Sequence, residues 1–408
     1  MKTILIIVPY ENVYPPYNGG MQRCFHILHQ LAKHFELTAI IFQDKESFLK
    51  AANDYPEIKN IKLYSTKEES NPKDIFSLFS KKIEMGLRYR WIKKSWRATA
   101  DGNFLQYYPV LKRLLKRNVY DAVILENLAT MNAVTTIRKY GGNIKIIYDA
   151  HNVDSKLGAM AVEKFGMSRD YLKSIQETER TMHKTVNALF TCSKEDRNDF
   201  LEMNEGKIPV GIIPNGVKVG DIFDNTVKED KPGSVLFCGS LHSPPNSEGL
   251  YWFYKNCWNN VKEQFPNIKL LVVGSGTAPG YLDEMYKDES VIFSGAVEDV
   301  KPWYNKAAIA VVPLLTGSGT RLKILEAMSL GVPVISTALG AEGIEYTDKQ
   351  DIEIFDNPER FSNGIIELLN NKSRRIHLKD NARKLVVKKY DWNVIGEKMN
   401  DFLKETLN

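Results

Sequence analysis

Residues 316–336 read TGSGTRLKILEAMSLGVPVIS, and this stretch decides the architecture of the chain. A polar loop with two glycines follows the apolar run Ile309–Val312, and the apolar spacing after the loop predicts a helix that ends at Gly331. A second apolar run begins at Val334, just after a proline, and predicts a strand. Strand, loop, helix and strand in this order form the repeating unit of a parallel α/β sheet.

The loop and the first turns of this helix carry the residue types of an anion site. Backbone N–H groups at a helix N-terminus attract negative charge, and residues 319–322 supply them here. Two cations, Arg321 and Lys323, favour a ligand with more than one negative charge, such as a nucleotide diphosphate. Glu326 lies one turn further on and suits the vicinal hydroxyls of a ribose. The alternative is an ordinary capped helix with a solvated basic turn.

The same alternation of strands and helices runs along the whole chain and predicts an α/β fold with two doubly wound domains. A length of 408 residues also favours two domains over one. The polar segment Gly220–Gly233 has the composition of a linker. We therefore expect one domain at residues 1–220 and another at 221–390, with a last helix within 391–408 that packs back on the first domain.

The composition, with 43% apolar and 26% charged residues, is that of a soluble globular protein. No apolar run approaches the roughly 18 residues of a membrane helix, and we expect the N-terminal run Thr3–Val8 to be a β-strand. The four cysteines are scattered and lack metal-site spacing, which indicates free thiols in a reducing compartment and hence a cytoplasmic protein. No metal site is predicted.

The segment 81–97 contains seven basic residues and one acid, with Tyr89, Trp91 and Trp96 interleaved. A solvated surface helix is one interpretation, and contact with an anionic membrane surface is another. Nucleic-acid binding is the least favoured, because no nucleic-acid-binding motif accompanies the segment. A membrane contact would make the protein peripheral on the inner face of the cell membrane.

Several glycines stand at the predicted carboxyl ends of strands, where open α/β sheets bind ligands. Gly19 and Gly20 follow the first strand, and Gly239 and Gly274 end two strands of the second domain. Pro279 occupies the third glycine position of a dinucleotide-binding motif, so that motif fails. No P-loop sequence is present.

Taken in order, several short motifs resemble the retaining, GT-B-fold glycosyltransferases of family 4, in the subgroup with a GSGTRLK sequence. The motifs are PYNGG at 16–20, DAHNV at 149–153, CS at 192–193, IPNGV at 213–217, FCGS at 237–240, PN at 245–246, VGSG at 273–276, GAVED at 295–299 and GSGTRLKILEAM at 317–328. They span nearly the whole chain. The resemblance implies a GT-B fold, with two Rossmann-like domains facing a central cleft.

The resemblance implies transfer of a sugar from a nucleotide-diphosphate-sugar to an acceptor hydroxyl, with retention and without metal or cofactor. The nucleotide would bind the second domain and a sugar or lipid-linked acceptor the first, in surface polysaccharide or glycolipid synthesis. The chain departs from the family pattern at Ser318, Ser240 and Asn246, where many members carry charged residues. Many members carry an arginine at position 240 and a lysine at position 246, and Arg321 and Lys323 would restore these two positive charges.

The resemblance also implies an active-site histidine at His151, which follows the predicted strand Lys145–Tyr148. We expect His151, Arg321, Lys323 and Glu326 to be catalytic, and Gly19, Gly20 and Arg23 to form an acceptor or phosphate loop. The expected donor-binding residues are Gly239, Ser240, Asn246, Gly274, Ser318, Gly319, Thr320, Arg321, Leu322, Lys323 and Glu326. A non-catalytic nucleotide-sugar-binding protein and a GT-B epimerase are the alternatives.

Overall fold

A computed structural model describes residues 1–69, 104–166, 168–219, 233–276, 279–317 and 319–408. The contacts between these residues divide the chain into two units. The first comprises Met1–Pro214 and Ile395–Asn408, and the second comprises Asn215–Val394. The basic segment 81–97, Ser318 and most of the predicted linker lie outside the described residues.

The first unit is built on a seven-stranded sheet in the order β3-β2-β1-β4-β5-β6-β7, and every strand pair in it is parallel. Most of its strands are nearly continuous apolar runs, because both faces of a parallel sheet are covered away from its edges. They are β1 Thr3–Ile7, β2 Glu36–Ile41, β3 Lys62–Ser65, β4 Ala122–Glu126, β5 Lys145–Asp149, β6 Ala188–Thr191 and β7 Val210–Ile212.

Described helices connect the strands of the first unit. The N-cap of α1 is Asn18, whose side chain accepts a hydrogen bond from the Met21 N–H at 2.9 Å. The helices are α1 Gly19–His34, α2 Lys45–Leu49, α3 Phe104–Arg117, α4 Ala133–Tyr140, α5 Asp154–Phe165, α6 Arg169–Arg180 and α7 Lys194–Met203. Short 3₁₀ turns lie at Lys50–Asn53, Pro56–Asn60, Leu128–Thr130 and Met182–Lys184.

The second unit has a six-stranded parallel sheet in the order β10-β9-β8-β11-β12-β13. Apolar side chains cover both faces of this sheet. Its strands are β8 Ser234–Cys238, β9 Leu270–Val273, β10 Val291–Gly295, β11 Ala307–Val312, β12 Val334–Ser336 and β13 Glu353–Ile354. Its helices are α8 Pro244–Phe253, α9 Asn259–Gln264, α10 Asp283–Tyr286, α11 Lys301–Tyr304, α12 Leu322–Ser329, α13 Pro358–Asn370 and α14 Lys372–Lys389. A π-helical turn, Tyr254–Trp258, continues α8, and 3₁₀ turns lie at Gly280–Leu282 and Leu339–Ala341.

The last helix, α15 Trp392–Leu407, belongs to the first unit from Ile395 onward. The Phe402 ring centroid lies 5.6 Å from that of Phe190 on β6. Phe402 also packs against Gly211, where a Cβ atom would stand 2.8 Å from its ring. The prediction that the last helix returns to the N-terminal domain is confirmed.

Both sheets reverse their strand order once, and such a reversal is where open α/β sheets bind ligands. In the first sheet the reversal lies between β1 and β4, and in the second it lies between β8 and β11. The carboxyl ends of these four strands are therefore the places to look for a site. Among the described residues, no helix is both long enough and apolar enough to cross a lipid bilayer.

Candidate functional site

The loop after β11 depends on its two glycines. Gly317 and Gly319 have φ values of 107° and 81°, a region that favours glycine because other residues are strained there. The loop ends at Arg321, which precedes α12 in an extended conformation. The N–H groups of the first turn of α12 thus follow the loop directly, as the sequence predicts.

Lys323 reaches from α12 to the carboxyl end of β8. Its Nζ donates a hydrogen bond to Asn246 Oδ1 at 2.7 Å and lies 5.1 Å from the Phe237 ring centroid. Asn246 Nδ2 donates in turn to the backbone oxygen of Ser240 at 2.9 Å. A Cβ atom on Gly239 would stand 2.6 Å from Nζ and 2.9 Å from Asn246 Nδ2, so a larger residue at the end of β8 would displace these two side chains. The structure thus brings together four predicted donor-site residues.

Burial lowers the pKa of Lys323 to about 8. The neighbouring Cys238 and Glu326 oppose this shift, and the positive charge of Arg321 adds to it. Burial also lowers the pKa of Arg321, against the opposing effect of Glu342. Two partly desolvated cations therefore lie at the start of α12, and an arriving anion would be stabilised by both.

Arg321 lies beside the loop at Gly317. A Cβ atom on that glycine would stand 3.0 Å from the guanidinium NH2 of Arg321. The neighbouring Thr320 packs against Gly343, where a Cβ atom would be 3.1 Å from the threonine hydroxyl. Leu322 packs against the apolar cluster of the second unit that includes Ile324 and Leu325. Thr320 and Leu322 therefore contribute packing and backbone N–H groups at the start of the helix.

Glu326 lies within α12 close to Cys238, whose pKa is raised to about 11 by burial and then by the glutamate charge. The hydroxyl of Tyr304 donates to the backbone oxygen of Lys323 at 3.2 Å, on the same side of the helix. Gly274 ends β9, and a Cβ atom there would stand 1.9 Å from the Gly239 carbonyl oxygen. Gly274 therefore allows the two strand ends to approach closely.

In the first unit, Arg23 forms a buried ion pair with Asp149. Its Nε and NH2 groups donate to the two carboxylate oxygens at 2.9 and 2.5 Å, and NH1 donates to the Ile213 carbonyl at 2.8 Å. Only 1% of the Arg23 side chain is exposed. The prediction that Arg23 belongs to a ligand-facing phosphate loop is wrong, because its guanidinium lies inside the protein and is bonded to the end of β5.

His151 follows β5 and contacts a carboxylate that the sequence analysis missed. Its Nε2 lies 2.8 Å from Glu126 Oε2, and the Cys24 thiol donates to the same oxygen at 3.1 Å. The Tyr10 hydroxyl lies 3.5 Å from His151 Nδ1. A Cβ atom on Gly20 would stand 2.2 Å from that hydroxyl, so Gly20 allows Tyr10 to approach the start of α1.

Glu126 is fully buried, and its pKa is raised by burial and by Asp149, against the effects of His151 and Arg23. Asp154 lies near His151, and burial raises its pKa to about 6. Gly19 is the exposed first residue of α1. The signal that could have revealed Glu126 is its position, since a carboxylate directly ends the apolar run of β4.

Within the described part of the chain, one group of side chains has the composition of a metal site. The ligand atoms of Cys24, Glu126 and His151 lie within 4.8 Å of one another. Their hydrogen bonds at 2.8 and 3.1 Å satisfy the imidazole N–H and the thiol without an ion. The four cysteines are free thiols, as predicted.

Residues 232–371, which include the loop and α12, match the family model described as Glycosyl transferases group 1. Over 242 residues the chain is 30% identical to an uncharacterized 44.6 kDa protein in the cps region of Klebsiella pneumoniae, covering 54% of this chain and 62% of that protein. Over 291 residues it is 29% identical to an uncharacterized glycosyltransferase of Methanocaldococcus jannaschii, covering 66% and 71% of the two chains. The chain thus spans less than two thirds of the first relative.

Two solved structures are similar over nearly their whole length. Sucrose-phosphate synthase from Thermosynechococcus elongatus has a TM-score of 0.69 at 14% identity and covers 99% of both chains. HepE from Anabaena, in complex with UDP and glucose, has a TM-score of 0.66 at 12% identity over 99% of this chain and 100% of its own. The fold is GT-B. The predicted fold class, α/β with two Rossmann-like units, is confirmed.

Proposed function

We propose that this chain is a glycosyltransferase that moves a sugar from a nucleotide-diphosphate-sugar to an acceptor hydroxyl, with retention of the anomeric configuration. The observation that supports this most is the position of Lys323. Its ammonium group lies at the glycine end of β8, held by Asn246, where the strand order of the second sheet reverses. Such a reversal is the usual ligand position in an open α/β sheet.

The chemistry of sugar transfer fits these groups. A nucleoside diphosphate leaves with negative charge, and preorganised positive groups that meet this charge stabilise the transition state. We assign this role to Arg321, Lys323 and the backbone N–H groups at the start of α12, and we propose that no metal ion is needed. Glu326 would accept hydrogen bonds from the ribose hydroxyls. The leaving phosphate would take the proton of the acceptor hydroxyl.

We assign the donor to the second unit and the acceptor to the first. His151, two residues after β5, would contact a sugar hydroxyl, and the start of α1 at Gly19 and Gly20 would approach the acceptor. The matched family region covers the proposed donor residues, and a neighbour of the same fold is solved with UDP and glucose. A role in surface polysaccharide or glycolipid synthesis is our further proposal, supported by a relative described as a protein in a cps region.

Cytoplasmic location, peripheral membrane binding through 81–97 and a lipid-linked acceptor stay predictions. Two other functions would use the same nucleotide site. A non-catalytic binding protein would bind the nucleotide-sugar unchanged, and a GT-B epimerase would convert one nucleotide-sugar into another. The buried cluster around His151 favours an enzyme, because it places a partly exposed imidazole on a fully buried carboxylate at a strand end.

The proposal is tested first by thermal-shift measurements with UDP-, GDP-, ADP- and CMP-sugars. A bound donor at 100 times its dissociation constant should stabilise the protein by about 2.7 kcal/mol. Lys323→Ala should lose the shift, whereas the control Lys384→Ala, an exposed lysine on α14, should retain it.

The stabilising donor is then incubated with the protein and candidate acceptors, and the products are followed by proton NMR. We expect nucleoside diphosphate and a product with the anomeric configuration of the donor. Binding without product would favour the non-catalytic alternative. A new nucleotide-sugar would favour the epimerase, and an inverted product would contradict the proposed retention.

A further inference from the structure

We propose that Glu126 is the positioning residue of His151, fixing the imidazole tautomer so that Nδ1 is the hydrogen-bond acceptor for a substrate hydroxyl. The inference deepens the proposed function and rests on it. It is carried by the place of these residues in the sheet and by the contacts on each side of the imidazole ring.

The residues involved come together at the reversal of the first sheet. Glu126 is the last residue of β4, and Tyr10 follows β1, the strand beside it. His151 comes two residues after the end of β5, which pairs with β4. Because the carboxyl ends of parallel strands share one edge, these three side chains converge from separate parts of the chain at the usual ligand position.

The contact with Glu126 decides which ring nitrogen carries the proton. Two groups converge on Glu126 Oε2, namely His151 Nε2 at 2.8 Å and the Cys24 thiol at 3.1 Å. When Glu126 is ionised, its carboxylate has no proton to give and only accepts hydrogen bonds, so Nε2 is then the protonated nitrogen. In the neutral ring, Nδ1 is then the acceptor.

Glu126 is more deeply buried than the imidazole that it contacts. Its side chain is 0% exposed, while that of His151 is 10% exposed. Its Oε1 has no hydrogen-bond partner among the described residues, so the carboxylate makes its contacts through the oxygen that faces His151. A buried carboxylate behind a histidine holds both the tautomer and the ring orientation, as in other acid–histidine pairs.

On the other side of the ring, the Tyr10 hydroxyl lies 3.5 Å from Nδ1. Burial raises the pKa of Tyr10 well above its usual value, so the hydroxyl keeps its proton and serves as a donor. A contact of 3.5 Å is long for a hydrogen bond. Nδ1 is therefore weakly engaged and is available to a hydroxyl of a bound sugar.

The tautomer can be read directly from the side-chain nitrogen signals of ¹⁵N-histidine-labelled protein. The chain has seven histidines, and the signal of His151 is assigned by its loss in His151→Ala. At a pH where the ring is neutral, the wild type should show a protonated Nε2 and a bare Nδ1. Glu126→Gln should abolish this preference, because an amide both donates and accepts. Cys24→Ser is the matched control and should leave the tautomer unchanged.

Kinetics supply a second readout once the donor is known. Glu126→Gln should lower kcat by about 10²-fold, the scale of a positioned proton-transfer or hydrogen-bonding group, while the affinity for nucleotide stays unchanged. The NMR result needs no activity, so it stands or falls separately from the proposed function.

Three results would overturn the proposal. One is a wild-type tautomer protonated at Nδ1, and another is a tautomer that Glu126→Gln does not change. The third is a His151 signal that shifts when EDTA is added, because the cluster with Cys24 would then hold a metal ion instead.

Discussion

Nucleotide binding should weaken as the pH rises, because the ligand-free protein holds Lys323 with a pKa of about 8. A diphosphate next to the ammonium group should raise that pKa above the measured range. The fraction of protonated Lys323 falls from about 0.9 at about pH 7 to about 0.1 at about pH 9. Affinity for UDP or GDP should therefore fall about tenfold over this range, which is about 1.4 kcal/mol.

Isothermal titration in buffers of different ionisation enthalpy measures both the affinity and the protons taken up. We expect uptake of about 0.1 proton at pH 7 and about 0.9 at pH 9. Lys323→Ala should bind more weakly and lose the dependence, while Lys384→Ala should behave as the wild type. Constant wild-type affinity with no proton uptake would refute the assignment of Lys323 to the diphosphate.

Three further substitutions test other parts of the account. Glu326→Gln should weaken binding of nucleosides as well as nucleotides in isothermal titration, and a loss confined to sugar-bearing donors would place Glu326 at the sugar instead. Gly239→Ala should weaken nucleotide binding at least tenfold, because its Cβ would stand 2.6 Å from Lys323 Nζ; unchanged affinity would argue against this arrangement. Arg23→Met should lower the free energy of unfolding in urea by about 3–5 kcal/mol, since it leaves Asp149 buried without its partner. The control Lys2→Met removes an exposed pair with Asp121 and should cost less than about 1 kcal/mol; equal losses would contradict the buried-pair argument.

The fold could be predicted from the sequence because each buried strand appears as a pattern in a few consecutive residues. Parallel strands buried on both faces appear as short apolar runs, so the predicted strands at Thr3–Val8 and from Val334 onward correspond to β1 (Thr3–Ile7) and β12 (Val334–Ser336). The edge strand Lys62–Ser65 cannot be recognised in this way, because only one of its four residues is buried. An edge strand with polar residues lacks the apolar pattern on which the prediction depends.

The proposed donor site could be recognised for the same reason, since the glycines and cations of residues 317–323 are neighbours in the chain. The cluster in the first unit could not, because Cys24, Glu126 and His151 meet only through the order of the sheet. A run of charged residues in a helix is also a misleading signal of solvent exposure. Glu179 stands among charged residues, a pattern typical of a solvated helix face, but the structure buries it, and it accepts the Ser155 N–H at the start of α5 at 3.2 Å.

The most direct test of the central claim is isothermal titration of wild type, Arg321→Ala and Lys323→Ala with UDP and GDP at one pH and salt concentration. Each substitution should weaken the nucleotide that the wild type binds by about 1.5–3 kcal/mol, the contribution of a charge-assisted hydrogen bond. The account is contradicted if both variants bind that nucleotide with wild-type affinity.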